Sequence, residues 1–485
     1  MCYRNLSYRS SCVGIAWLLA SAAPTFAFGA TGLFAGDSAA ETARTISPQQ
    51  LNKQQTLPDL TGRVNISRYG PPPGELDMNA AVQRAVQWYP DISAEISKLF
   101  TQASKVEIER ARYYPQISGG FNNGISNTYA DHGYSPSLVL SVSQMLYDFG
   151  KVDSAVRAAN AAVAAQQATV LLTIDKIAHD TAAALVEVQG YQELVKIARE
   201  QLIALNAISR LAHSRSDEGA SSQSDVVQTE ARIEGARSTL TQYQASLERW
   251  RATLSTYLGW EQTHAVSGEF PRVLNAACRA GDIDDQMVPS VLAAYAQRNQ
   301  AAAQLAGASA QMLPTVSLEP QVTRYLNDRY ANSEQLNKTQ YSAWLKVQMP
   351  LYQGGALTAG KAAAQHSLDA AAASVRSAKL QVRQQLAEAS NQADSLEQAL
   401  LILAREQQLS QRTRELYQQQ YLELGTRPLL DVLNVEQEIY QSRFSQQQTQ
   451  IQLRSLQLDC LYSTGNIRKA FTLTGQTIQG VEIQP

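Results

Sequence analysis

Apolar positions follow two different periods along this chain, and each period comes in long blocks. Residues 151–214 contain no proline and one glycine, Gly190, and Leu194, Ile197, Leu205, Ile208 and Ala212 recur at helical spacing. One helix of that length spans ~95 Å at ~1.5 Å per residue. Residues 357–424 repeat the pattern, with Ile402, Leu409 and Leu416 seven residues apart and Gly360 near the start. A return helix at 225–258 covers ~50 Å and an opening helix at 76–113 covers ~57 Å. Their sum is close to one long helix, so two short helices stacked end to end can run along it, with their junction at a waist. Paired helices of such length predict coiled-coil packing in place of a globular core.

Between the helices the period changes to two. Val316, Leu318, Val322 and Leu326 alternate with Thr315, Ser317, Gln321 and Thr323. Tyr341, Ala343, Leu345, Val347 and Met349 alternate with Ser342, Lys346 and Gln348. Earlier in the chain Leu138, Leu140 and Val142 alternate with Ser141 and Ser143, preceded by a glycine-rich strand around Ile117 and Phe121. These segments predict two β-hairpins with one apolar and one polar face. Such strands suit a half-buried sheet in water or a membrane barrel with a wet lumen. Four strands cannot close a barrel, so if they span a bilayer the chain must oligomerise to satisfy their edges.

The two blocks are copies in register. Tyr89-Pro90 answers Val288-Pro289, and the pentapeptide from Tyr114 answers that from Leu313, at an offset of 199 residues. Tyr147-Asp148-Phe149-Gly150 answers Tyr352-Gln353-Gly354-Gly355 at 205, and Gly219, Asp225 and Gly259 answer Gly425, Asp431 and Gly465 at 206. Fixed order with drift in one hairpin loop is the mark of a duplicated unit.

Charge adds little, because 41 basic and 43 acidic residues nearly cancel and no field argues for nucleic acid. The N-terminus adds more. Arg4 and Arg9 precede the apolar run from Val13 to Ala20, and Ala27 ends a small-residue cleavage pattern, so residues 1–27 read as a secretory signal peptide. Residues 28–74, ending in Pro71-Pro72-Pro73-Gly74, read as an extended leader. In an oxidising compartment Cys278 and Cys460 can bridge or stay as two buried thiols, and free thiols are the expectation adopted. His132, His179, His213, His264 and His366 show no ligand spacing, and no nucleophile elbow or phosphate loop occurs. An enzyme, a metal site and a cofactor are therefore not expected.

The segment from Tyr421 to Asn434, YLELGTRPLLDVLN, closely resembles the periplasmic tip of TolC-type outer-membrane channel-tunnels, and Gly219 to Asp225 resembles the first-repeat tip. Tyr147-Asp148-Phe149-Gly150-Lys151 resembles the strand-to-helix junction of members serving type I secretion. The resemblance covers residues 75–470. It implies a mainly α fold with a transmembrane β-barrel part. Three chains would supply twelve strands to an outer-membrane barrel and twelve helical columns to a periplasmic α-barrel. The implied order is a first repeat at 75–260, an equatorial linker at 261–285, a second repeat at 286–466 and a tail at 467–485.

By position, Arg427 in the turn Gly425-Thr426-Arg427 would reach a neighbour's first-repeat tip, Gly219 to Asp225, and hold the entrance shut. Asp431 would line the constriction as a ring of carboxylates, and its residue type also suits a helix start. Where a second acidic ring is expected stands Asn434, and Leu422 replaces the family tyrosine, displaced to Tyr421. The implied function is a passive exit duct for type I protein secretion, with a tripartite drug efflux pump as the alternative. Implied partners are a homotrimer, a periplasmic adaptor, an inner-membrane ABC or proton-driven transporter, and outer-membrane lipid. A periplasmic coiled-coil structural protein is the competing class.

Overall fold

The computed structural model describes residues 75–126, 133–134, 136–261, 265–279, 283–326 and 338–483; the signal peptide, the leader, His132 and His264 lie outside them. The element order is α1 (Met78–Trp88), α2 (Pro90–Ala111), β1 (Gln116–Asn122), β2 (Ile125–Ser126), β3 (Gly133–Tyr134), β4 (Ser137–Tyr147), α3 (Lys151–Asp217) and α4 (Gln223–Leu258). After a 3₁₀ segment at Arg272–Arg279 come α5 (Pro289–Ala310), β5 (Thr315–Tyr325), β6 (Thr339–Gln348), α6 (Ala356–Gln419), a π-helical turn at Gln420–Leu424, and α7 (Leu429–Ser463). The chain closes with α8 (Ile467–Ala470), β7 (Thr477–Ile478) and β8 (Val481–Glu482). No helix among the described residues is long and apolar enough to cross a membrane. The opening helix is not continuous from 76 to 113 as expected. Proline removes a donor and pushes its predecessor out of the helical region, and Tyr89 accordingly adopts φ −65°, ψ 126° between α1 and α2.

The 67-residue α3 packs against α2 and α4 and also against α5 and α7, while α6 packs against α5 and α7. Each protomer thus holds four columns, two unbroken (α3, α6) and two stacked (α2 with α4, α5 with α7). Both stacks join in the same way. Gly259 follows α4 with φ 67° and lies against the Trp88 ring, while Gly465 follows α7 with φ 71° and lies against the Met287 carbonyl. A Cβ at either position would overlap its neighbour. The heptad stripe Ile402, Leu409 and Leu416 is 67%, 61% and 44% exposed, so it faces away from its own protomer.

The equatorial segment straps the columns at mid-length. Gln189 of α3 donates to the carbonyls of Ser267 (2.6 Å) and Glu269 (3.1 Å). Arg279 pairs with Glu397 of α6 at 2.7 Å, and Lys379 of α6 pairs with Asp285 at 2.5 Å. Cys278 is disulfide-bonded to Cys460 of α7 across 182 residues of sequence, which corrects the expectation of free thiols. The reason is tertiary, since the strap brings the two Cα atoms to 5.2 Å, within the reach of a disulfide. The C-terminal segment docks on the break between α1 and α2. Gln479 donates to the Val86 and Tyr89 carbonyls, and Arg468 pairs with buried Asp175 at 2.7 Å.

The main sheet is antiparallel in the order β1-β4-β5-β6. Directly opposed residues share a face. The register therefore places Ile117, Phe121, Leu138, Leu140, Val142, Leu318, Val322, Tyr341 and Leu345 on one side. Ser118, Ser141, Gln321 and Ser342 lie on the other. Several of the apolar set are uncovered, among them Ile117 and Leu345. β1 and β6 end the sheet without a partner strand among the described residues, so hydrogen-bonding edges remain for another chain.

Candidate functional site at the helical tips

The α3–α4 turn is built by its own side chains. Gly219 is left-handed (φ 73°), and the amides of Ala220 and Ser221 donate to the Arg215 carbonyl. Ser222 caps α4 in a capping box: its hydroxyl accepts from the Asp225 amide at 3.3 Å, and the Asp225 carboxylate accepts from the Ser222 amide at 3.2 Å. The Ser221 hydroxyl adds a third bond to Asp225 at 2.6 Å. Reciprocal capping of this kind satisfies donors that every helix start leaves open.

The second turn takes another course. α6 widens into the π-helical turn, Gly425 turns left-handed (φ 61°), and the Thr426 amide donates to the Gln420 carbonyl. The residue before α7 is Pro428, which offers no side-chain acceptor, so Asp431 has no capping-box partner. Its carboxylate instead accepts from Arg427 Nη1 at 2.8 Å. Arg427 Nε donates to Gln420 Oε1 at 2.9 Å, and its guanidinium lies 4.4 Å from the centre of the Tyr417 ring. Within one protomer, then, Arg427 and Asp431 meet, whereas Asp225 serves its own turn. Asn434 does not stand alone either, because Arg232 of α4 donates to its Oδ1 at 3.3 Å and also to Gln437.

Sequence reading missed the residues that tie the two tips together. Arg215 donates to the Tyr421 carbonyl at 3.1 Å and stacks 4.5 Å from the centre of that ring. Tyr421 is buried with Leu205, Ile208, Val226, Leu429 and Leu433 in an apolar cluster shared by both hairpins, while Leu422 is exposed. Glu436 is also buried and lies 3.8 Å from Arg414, and burial raises its pKa against the pull of that cation. Arg215 and Tyr421 are 206 residues apart, the repeat offset itself, and that was the available signal.

A four-stranded sheet that is a third of a twelve-stranded barrel wall, four helical columns and two tight helical tips define a channel-tunnel protomer. The outer membrane efflux protein family matches residues 81–260 and 286–461, and the chain belongs to that family. It is 26% identical over 355 residues to the outer membrane efflux protein BepC of Brucella suis biovar 1 (strain 1330), covering 70% of this chain and 74% of BepC. Among solved structures, the outer membrane protein VceC of Vibrio cholerae superposes with a TM-score of 0.70 at 18% identity, over 80% of this chain and 96% of VceC. The CmeC outer membrane channel of Campylobacter jejuni gives 0.68 at 13% identity, over 80% and 85%.

The protein is an outer-membrane channel component that extends into the periplasm, and its relatives are channel proteins, not enzymes. Channels of this family are trimers that work with adaptor proteins and inner-membrane transporters. The mainly helical fold with a barrel-forming sheet agrees with the expectation from sequence.

Proposed function

We propose that three copies of this chain form a passive exit duct whose periplasmic entrance is held by the tips and released by an adaptor. The observation that carries this is the four-stranded sheet with an uncovered apolar face and two open edges, joined directly to ~100 Å helices. Such edges are satisfied in a bilayer only by closure with further copies. At the entrance Arg427 has two carboxylates to choose between, Asp431 of its own chain and, across the subunit boundary, Asp225 of a neighbour. Exchange between them would couple the latch to the carboxylate ring, because Arg427 neutralises Asp431 whenever it lets go of the neighbour.

For the cargo, export of small solutes by an efflux pump is favoured by the similarity to BepC, whose name describes an efflux protein. Type I secretion rests on the junction Tyr147-Asp148-Phe149-Gly150. There the Asp148 carboxylate accepts from the Gly150 (3.0 Å) and Val152 (2.6 Å) amides and caps α3. That duty belongs to the strand-to-helix joint and does not depend on what passes through the lumen, so efflux is the preferred reading. The test is planar-bilayer conductance of the purified protein with its mass measured in the same detergent, followed by drug-susceptibility and secretome assays of a deletion strain. Trimeric channels with raised drug susceptibility support the efflux duct. A water-soluble species without conductance rejects the duct, and loss of one large secreted protein without drug sensitivity returns the secretion reading.

A further inference from the structure

The four long strands carry three charged residues, Glu319, Arg324 and Lys346. Two of them account for each other, because Glu319 and Lys346 lie 3.4 Å apart on the polar face. Arg324 is on the other side. It stands opposite Leu138, and Leu138 stands opposite Phe121, so the register puts this guanidinium among the apolar, outward residues. It is exposed. A cation in an apolar wall is costly unless an anion meets it or it reaches the headgroups.

Its height decides between those. Arg324 lies nine residues past Thr315, where β5 leaves the helices. At ~3.3 Å per residue that is ~30 Å along the strand, or ~23 Å of height at a tilt of ~40°. The apolar band of an outer-membrane barrel is ~25 Å tall, so the guanidinium sits at its outer rim, level with the outer-leaflet headgroups. Beside it the wall is notched. Gly119 faces outward between Ile117 and Phe121, with no atom within 4 Å of where a Cβ would stand. The resulting depression of about 420 Å³ is bounded by Phe121, Leu138, Leu140, Val322 and Arg324.

We infer that Arg324 and the Gly119 notch together bind a phosphorylated, multiply acylated lipid of the outer leaflet, the phosphate on the guanidinium and one acyl chain in the notch. A guanidinium fork suits a phosphate through two parallel N–H···O bonds. The apolar floor below it runs toward the membrane centre, the direction an acyl chain takes from its headgroup. The site repeats once per chain, so a trimer would carry three.

The test uses the intact trimer in mild detergent, with bisphosphorylated lipid A, fully dephosphorylated lipid A and inorganic phosphate as probes, and native mass spectrometry to count what stays bound. The wild type should retain bisphosphorylated lipid A about tenfold more strongly than R324Q, a difference of ~1.4 kcal/mol per site. Dephosphorylated lipid A should bind both proteins at the lower level, and inorganic phosphate alone should neither bind nor compete. G119L, whose side chain projects into open space, should weaken lipid A retention while Arg324 remains, and the same spectra show whether each variant is a trimer. Equal lipid A retention by wild type and R324Q would overturn the inference. So would retention indifferent to the phosphates, or displacement by inorganic phosphate, which would mark a free-anion site.

Discussion

His179 of α3 is held between two carboxylates, 2.9 Å from Asp180 and 2.8 Å from Asp459 of α7. Burial disfavours its charge, but the bonds to Asp180 and Asp459 outweigh that and raise its pKa to about 9. A raised folded value means the stabilisation is complete below the ordinary pKa of 6.5 and is lost as pH climbs through about 9. Burial, opposed by Arg468, pushes Asp175 up to about 7, and its contribution is gone once pH passes that value. Thermal unfolding of the trimer between pH 7.5 and 9.5 therefore isolates His179. The melting temperature should fall across that window in the wild type and stay nearly flat in His179→Gln. At the tip, exposed ion pairs contribute ~0–1 kcal/mol each, so three latches shift the open–closed ratio by at most about 160-fold. Arg427→Ala should raise single-channel conductance or open time within that bound, and Asp431→Asn should lower cation preference in reversal-potential measurements. If neither variant changes its readout, the tip is not the gate. Arg427 and Asp431 were named as candidates through the resemblance of their turn to the TolC-type tip, but their pairing with each other was not visible. It arises because Pro428 leaves Asp431 without the serine partner that Asp225 has in Ser222.

Among the elements, the two stack junctions leave no room for a side chain. Gly465 and Gly425 both have positive φ, so a Cβ costs about 1 kcal/mol of backbone strain at either. Only at Gly465 does that Cβ also run into the Met287 carbonyl, while Gly425 is open. Gly465→Ala should destabilise by a further 1–3 kcal/mol or so, as overpacking does. Denaturant unfolding of the two variants side by side checks this, and equal losses would refute the junction's role. The lengths of α3, α4 and α6 were legible because helical periodicity is carried by neighbouring residues. The break at Pro90 was marked by its dipeptide and still missed, since helical spacing continues on both sides of it. The heptad Ile402, Leu409 and Leu416 was legible as a stripe, but it stays largely exposed within its own protomer, and no periodicity tells a stripe which chain will cover it.

At the scale of the whole molecule, the face of the sheet settles where a charge can go. Leu345→Lys puts an ammonium on the apolar face, where cations in outer-membrane barrels cost ~2–4 kcal/mol at mid-depth and less toward the rims. Ser342→Lys puts the same charge on the polar face. The first should deplete trimer from the outer-membrane fraction and the second should not, as scored by fractionation and heat-modifiable mobility. Alternation, helix length and repeat offset are local or periodic properties. From them the sequence alone determined long paired helices, two hairpins with one wet and one dry face, and the need for further copies to close the sheet. The Cys278–Cys460 bridge, the strap across α3, α6 and α7, and the joining of the two tips through Arg215 and Tyr421 depend on distances between residues roughly 80 to 206 positions apart. Only the packed columns decide those distances, because side chains so far apart in sequence have no common period to bring them together.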